Sequence, residues 1–350
     1  MSTLINGRFI KQSMSGVQRF ANEVSEGING TIIVPPKILS SGLLGHFWDS
    51  VILPVIAISK GNAHIVNLCN SGSIFYSNQS IVLHDTFYED YPEWYSSSFS
   101  MLYKSLIPRV IKSSKHIYTV SRYSQRRISE IYGINEEHIT VLGNAVDTNK
   151  FTPVQAVDDT EILRSNNIPE KYLLFVGVTQ ERKNITRLLQ AWSQVYDKCG
   201  YTLVVVGGSS SNFGSPKELE EHIKRSGNQV LAFGHATDLE LSCLYRHAHA
   251  FCFVSLAEGF GIPVLEAMAS GTAVISSNCS AIKEVADGAA ILVDPYSVDE
   301  IVSAIEMLLV DEELVNSLVQ KGLKRVRDFN WDDYARAVNL KLEESSFEQL

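Results

Sequence analysis

Glu258-Gly-Phe-Gly-Ile-Pro-Val-Leu-Glu266, running on through Ala-Met-Ala-Ser to Gly271, follows the apolar run Ala250-Phe-Cys-Phe-Val254 and leads into a helical pattern. Strand, glycine turn and helix in that order predict an α/β unit. Two glycines ahead of a helix let a ligand approach the backbone. They also leave N–H groups at the positive end of the helix, where an anion such as a diphosphate is favoured. The two glutamates are eight positions apart. One stands at the loop mouth, and the other is predicted about two helical turns on and on roughly the same face, where it could accept hydrogen bonds from sugar hydroxyls. The plain alternative is a strand–turn–helix of any α/β protein with both glutamates solvated.

The rest of the chain bounds the classes open to it. A length of 350 residues suggests two domains of ordinary size, and the mean hydropathy of +0.01 is that of a soluble globular protein. No apolar run is expected to reach the roughly 20 residues of a membrane span, the longest being broken by Pro54 and Lys60. The N-terminus lacks a charged segment followed by an apolar one, so nothing points to secretion. Cys69, Cys199, Cys243, Cys252 and Cys279 are scattered, odd in number and unlike any zinc spacing, which predicts reduced thiols. The pair His247-x-His249 is read as pointing apart, and no metal site is expected.

A net charge of −9 argues against generic nucleic-acid binding, but the charge is uneven. Residues 1–150 carry 13 basic and 11 acidic side chains, the remainder 17 and 28. Between Lys104 and Arg127 lie Lys104, Arg109, Lys112, Lys115, Arg122, Arg126 and Arg127 with no acid among them. This run reads either as solvated helix faces or as a peripheral contact with an anionic membrane or lipid-diphosphate acceptor.

Apolar, β-rich runs alternate with helical patterns in both halves. They fall at 31–34, 64–68, 80–83, 116–120 and 139–142, and again at 172–176, 202–206, 230–233, 250–254, 273–276 and 290–293. Continuous apolar strands separated by helices predict parallel sheets covered on both faces, hence two doubly wound domains facing a cleft, with ligands at strand carboxyl ends. The weakly patterned 148–169 stretch reads as the linker.

The Glu258–Gly271 string closely resembles the signature of the retaining, nucleotide-sugar-dependent glycosyltransferases of family 4. That signature is E-G-F-G-x-P-x-L-E-A-M-A-x-G, and every one of its positions is present. The resemblance implies the GT-B architecture: a Rossmann-like acceptor-side domain over 1–150, a linker over 151–170, a Rossmann-like nucleotide-sugar domain over 171–330, and a helix over 331–350 packing back on the first domain. Phe175-Val-Gly177 to Arg182-Lys183-Asn184 is similar to the family's V-G-x-x-x-x-R-K-N element. Carried over, Arg182 and Lys183 clamp the donor diphosphate and Asn184 shapes the turn on the donor side. Some relatives have an Arg after that glycine where this chain has Val178. Asn6-Gly-Arg8 and Ser15-Gly16-Val17-Gln18-Arg19-Phe20 resemble the first-strand loop, placing Gly16 by the donor phosphate. His84-Asp85 resembles the family's H-D pair, with His84 near the reacting centre and Asp85 and Tyr88 on the acceptor side. Asn144-Ala145 stands where relatives have Asn-Gly, so a left-handed turn there must shift to Gly143 or form without glycine.

The same resemblance assigns the nucleobase to Phe233, Gly234 and His235, and the rest of the donor to Gly259, Phe260, Gly261, Ile262, Leu265 and Glu266. It implies transfer of a mannose- or glucose-like hexose with retention, without metal or other cofactor. The acceptor hydroxyl attacks on the face from which the diphosphate leaves, and the departing phosphate takes the proton. Glu258 orients the sugar and Glu266 binds the ribose. The partners are a nucleotide sugar and an oligosaccharide or lipid-linked acceptor of surface polysaccharide, with no nucleic acid. The expected location is cytoplasmic or on the inner face of the cytoplasmic membrane. A sugar-nucleotide epimerase, a phosphorylase or a non-catalytic glycan-binding subunit remains open on the same scaffold. A dehydrogenase does not fit, because Val206-Gly-Gly-Ser does not form G-x-G-x-x-G.

Overall fold

The computed structural model describes residues 2–177, 180–207 and 229–347. Val178, and Gly208-Ser209 of the Val206 segment, lie outside the described residues. Short aliphatic and β-branched runs form parallel strands because helices cover both faces and no polar alternation is needed. In the first sheet, β1 (Thr3–Asn6), β2 (Thr31–Ile33), β3 (His64–Asn67), β4 (Gln79–Leu83), β5 (His116–Thr119) and β6 (Ile139–Val141) pair in the order β2-β1-β3-β4-β5-β6. In the second, β7 (Tyr172–Val176), β8 (Thr202–Val206), β9 (Val230–Gly234), β10 (Ala250–Phe253), β11 (Ala273–Ser277) and β12 (Ile291–Val293) pair as β12-β11-β10-β7-β8-β9. Each pairing is parallel; Tyr172–Val176, for example, lies register by register against Thr202–Val206. Strand order reverses between β1 and β3 and again between β7 and β10, and such reversals are where doubly wound sheets open a crevice at their carboxyl edge.

β1 was not among the strands expected from sequence. Thr3-Leu-Ile-Asn is too short to show a period, and it is fixed by pairing on both sides, with β2 and β3. Pro54 also behaves differently from expectation. Gly42–Ser59 is one continuous helix, in which Trp48–Ile52 forms a π turn and the Leu53 N–H reaches back to the Trp48 carbonyl. The wide turn just before the proline accommodates a residue that has no N–H to give.

Two compact units make up the chain: Met1–Asn144 with Asn330–Leu350, and Ala145–Phe329. Within the first, the helix Trp331–Phe347 lies on the helix Gly16–Gly27. Asn339 Nδ2 donates to the Gly27 carbonyl at 2.8 Å, and the Asn29 N–H donates to Asn339 Oδ1 at 2.9 Å. Trp331 meets Phe20 edge to face at 6.0 Å. The residue with positive φ at the end of β6 is Gly143, at +100°, two places before Ala145, where the Asn-Gly of relatives has its glycine. A Cβ on Gly143 would stand 2.5 Å from Tyr334 Oη. Gly143→Ala is therefore expected to lower unfolding stability by about 2–4 kcal/mol, from left-handed strain and overpacking together. A urea midpoint within error of the parent protein would remove this account.

In the second unit, the stretch expected as a linker carries the helix Asp159–Ser165. Asp159 is buried, and both its oxygens are held by Arg246 of the helix Asp238–His247, at 2.9 and 3.1 Å. The core of this unit gathers Phe175, Leu188, Trp192, Val205, Cys252 and Ile275 between the sheet and its helices. It sets the carboxyl ends of β7 and β10 side by side.

Candidate active site

The loops leaving β7 and β10 meet at that reversal. After β7 a single 3-10 turn, Glu181–Lys183, turns Arg182 and Lys183 back toward the neighbouring loop. The Leu256 N–H closes the approach by donating to the Arg182 carbonyl at 2.8 Å. Glu258 lies between the two cations: Oε2 is 2.7 Å from Arg182 NH1, and Oε1 is 2.6 Å from Lys183 Nζ. Arg182 NH1 also donates to the Ala257 carbonyl at 3.0 Å. Lys183 Nζ stands 4.8 Å from the centre of the Phe253 ring, an aromatic face that favours a cation. Three charges thus share a partly buried site with one positive charge in excess.

Burial opposes ionisation of Glu258, but Arg182 and Lys183 outweigh it and hold the carboxyl at about 2. Burial also lowers the Lys183 ammonium pKa, against the pull of Glu258 and, farther off, Glu266. Next in chain, Gly261 takes φ +107° and opens the helix Ile262–Ala269. A Cβ there would meet no closer atom than Ile282 Cγ1 at 3.6 Å, so backbone conformation rather than space calls for glycine.

The two glutamates are placed differently from the spacing argument. The helix begins only at Ile262, so Glu266 is one turn in rather than two, and the glutamates take separate partners. Glu266 is buried and accepts from Tyr245 Oη at 3.1 Å. Asn184, with φ +56°, holds the turn, as expected of it. Its Nδ2 donates to the Val254 and Pro295 carbonyls at 2.9 and 2.7 Å, and its Oδ1 accepts from Arg187. Phe260 is packed edge to face on Phe329, and Leu265 is wholly interior, so neither side chain offers surface to a donor. Gly259 and Ile262 flank the turn at the helix start, and the Glu258 N–H donates to Ser280 Oγ at 3.0 Å. Phe233, Gly234 and exposed His235 close β9 at the sheet edge, two strands and so roughly 10 Å from β7. Ser280, Tyr245 and Phe253 escaped sequence reasoning. Their signals were weak, since each acts through a partner brought from another element.

In the first unit His84 follows β4. Its ring is edge-on to Phe20 at 4.8 Å, and Nε2 donates to the Leu68 carbonyl at 2.9 Å. Burial lowers its pKa to about 4, so the imidazole is neutral at physiological pH, with Nδ1 as the acceptor nitrogen. Asp85 Oδ1 accepts from the Phe87 N–H at 3.2 Å and starts the next helical turn. That turn points Tyr88 inward, into the core with Ile107 and Val110, where its hydroxyl meets Tyr132 Oη at 2.6 Å. Tyr88 is thereby an interior residue rather than an acceptor-facing one. Gly16 is exposed as the first residue of its helix.

Asp159, Cys243 and His247 bring three possible metal ligands within 4.8 Å of one another. A cation there would have to displace the Arg246 guanidinium, which already neutralises the carboxylate. His249 turns away to the Leu308 carbonyl at 2.8 Å.

Two parallel six-stranded sheets of this kind are the GT-B architecture, and the glycosyltransferase family models that match the two halves of the chain in turn make it a glycosyltransferase of that fold. Residues 22–150 match the model for glycosyltransferase family 4, and residues 158–325 match that for glycosyl transferases group 1. The chain is similar to O-antigen chain mannosyltransferase B of Escherichia coli, 28% identical over 71% of this chain and 66% of the relative. It is also similar to O-antigen chain mannosyltransferase RfbU of Salmonella typhimurium, 28% identical over 91% of this chain and 87% of the relative. Sucrose-phosphate synthase from Thermosynechococcus elongatus shares the fold with a TM-score of 0.74 at 17% identity, over 99% of each chain.

Proposed function

We propose that this glycosyltransferase moves a hexose, mannose in the first instance, from a nucleotide diphosphate sugar to a growing surface glycan or its lipid-linked precursor, with retention and without a metal. The observation that carries the reading is the convergence of Arg182 and Lys183 on one carboxylate at the β7/β10 reversal. Two cations held in a partly buried site, with a helix start beside them, can neutralise the charge that grows on a departing diphosphate. In the free protein Glu258 keeps both cations in place. When a diphosphate enters, its oxygens compete for the same donors, and the released carboxylate is free to accept from the sugar. The mannosyl assignment and the glycan acceptor rest on the names of the two bacterial relatives. The work is read as cytoplasmic, at the inner face of the membrane.

The test is thermal shift of the purified protein against UDP-, GDP-, ADP- and dTDP-sugars in EDTA, followed by proton NMR of the product anomer. A shift by one nucleotide class that rises with concentration, and an α product from an α donor, are expected. A shift that appears only when a divalent cation is restored would end the metal-independent reading, and a β product the retaining one.

A further inference from the structure

Among the described helices, Gly42–Ser59 alone has the length and composition of a membrane span, 18 residues with mean hydropathy 1.5, yet only a third of it is buried. The inner face, with Trp48, Leu53 and Ala57, packs against Leu4 and Ile65 of the first sheet. Asp49, also inside, is ion-paired with Arg8. The outer face is apolar and uncovered: Leu43, Phe47, Val51, Val55 and Ile58 are exposed by 75, 50, 38, 61 and 60%. Their spacing of four, four, four and three residues would drift around a regular helix of about 3.6 residues per turn. The π turn at Trp48–Ile52 takes up the extra residue and keeps the ridge on one side. Phe75, 78% exposed, extends it from a neighbouring loop, where Ser73 Oγ donates to the Ser50 carbonyl at 3.3 Å.

Charge around the ridge is one-sided. Between Glu26 and Asp85 the single carboxylate is Asp49, which is inside and paired, whereas Lys37 and Lys60 stand exposed at the two ends of the ridge. An apolar stripe flanked by lysines is the pattern of a helix lying in the lipid–water boundary of an anionic bilayer. A span is ruled out by the packed inner face and its ion pair. A second copy of the chain would bring further lysines with no carboxylate to meet them.

We infer that the outer face of Gly42–Ser59 inserts into the headgroup–acyl boundary of an anionic membrane, with Lys37 and Lys60 on its phosphates. This goes beyond the transfer reaction and holds whichever sugar is moved. It also differs from a contact through Lys104–Arg127, where Lys104 pairs with Glu89, and Arg127 with Asp90 and Glu130.

The experiment is co-sedimentation of the full chain with phosphatidylcholine vesicles with and without phosphatidylglycerol. Binding to the anionic vesicles is expected to fall about tenfold or more in L43E/F47E/V55E, less in K37E/K60E, and little in K112E/K115E/R122E. Phe47→Trp should show quenching by brominated acyl chains beyond that of the parent protein, a direct reading of insertion that does not depend on the glutamate variants folding. The proposal is overturned if the parent protein does not bind, if L43E/F47E/V55E binds undiminished, if binding is lost instead in K112E/K115E/R122E, or if Phe47→Trp shows no added quenching. Self-association through the ridge without vesicle binding also overturns it. Donor thermal shift is read in solution without vesicles, so failure here leaves the proposed function untouched, and the reverse.

Discussion

Lys183→Ala is expected to lower kcat by roughly 10²–10³, with a smaller change in donor KM, because the diphosphate it meets on entry gains a further negative charge as it departs, and that added charge is what the ammonium stabilises most. The ammonium is almost dry, 2.6 Å from Glu258 and 4.8 Å from the Phe253 ring centre, so no solvent charge takes its place when it is removed. Arg182→Ala should act in the same direction. The double variant should fall well short of the product of the two, because both cations share Glu258 and cannot be removed independently. Glu258→Ala would strand two cations in one pocket and should cost stability as well as turnover, whereas Lys183→Ala leaves a neutralised Arg182–Glu258 pair and should unfold near the parent midpoint. Steady-state kinetics with a saturating acceptor, paired with thermal unfolding of each variant, separates the two effects. Near-normal turnover in Lys183→Ala would sink the assignment.

The second large effect is structural. Arg246→Met should destabilise the second unit by about 3–5 kcal/mol, the cost of leaving a buried carboxylate without its partner. Asp159 and Arg246 side chains are only 3% and 4% exposed, and Arg246 NH1 also holds the Thr152 carbonyl at 2.8 Å. Burial raises the Asp159 pKa, but hydrogen bonds from Arg246 and His247 outweigh it and lower the pKa to about 2. A folded value below the unfolded one stabilises the protein above roughly pH 4, and that stabilisation, about 2 kcal/mol, drains away as pH falls toward 2. Asp159→Asn should be less stable at neutral pH and should lose less on acidification than the parent protein. Urea midpoints from pH 7 to 2 read both slopes. Parallel slopes would mean that the pair does not set the acid limit. Glu258 titrates in the same window, so Glu258→Gln serves as the independent control.

Much of the second sheet was legible because its cues are local. Tyr172–Val176 and Thr202–Val206 are unbroken apolar runs, and glycine, cations and asparagine after β7 stand within a few residues of each other. What sequence did not carry is pairing at a distance. Glu258 finds Lys183 across 75 positions, and Arg246 finds Asp159 across 87, which is how a stretch rich in turn residues came to be read as a linker. Glu266 differs for a narrower reason: spacing from the glycine loop implies two turns, whereas Gly261 holds a left-handed turn and delays the helix start to Ile262. Hydropathy located the apolar stretch near residue 50 but not its orientation. Only packing distinguishes Ala57, in the core, from Ile58 beside it, which faces solvent.

The helix Trp331–Phe347 belongs to the same unit as residues Met1–Asn144, with the entire second unit in between. On the ribosome, therefore, order of synthesis and order of completion part company. The body built on residues 1–144 is made before the other but must wait, with the groove that receives Trp331, Tyr334 and Asn339 unfilled, until residues 331–347 follow. The later-made Ala145–Phe329 body has all its parts as soon as Phe329 clears the exit tunnel. A premature stop near residue 329 would spare the second body and leave the first one unfinished, a polarity opposite to that of a simple tandem of domains.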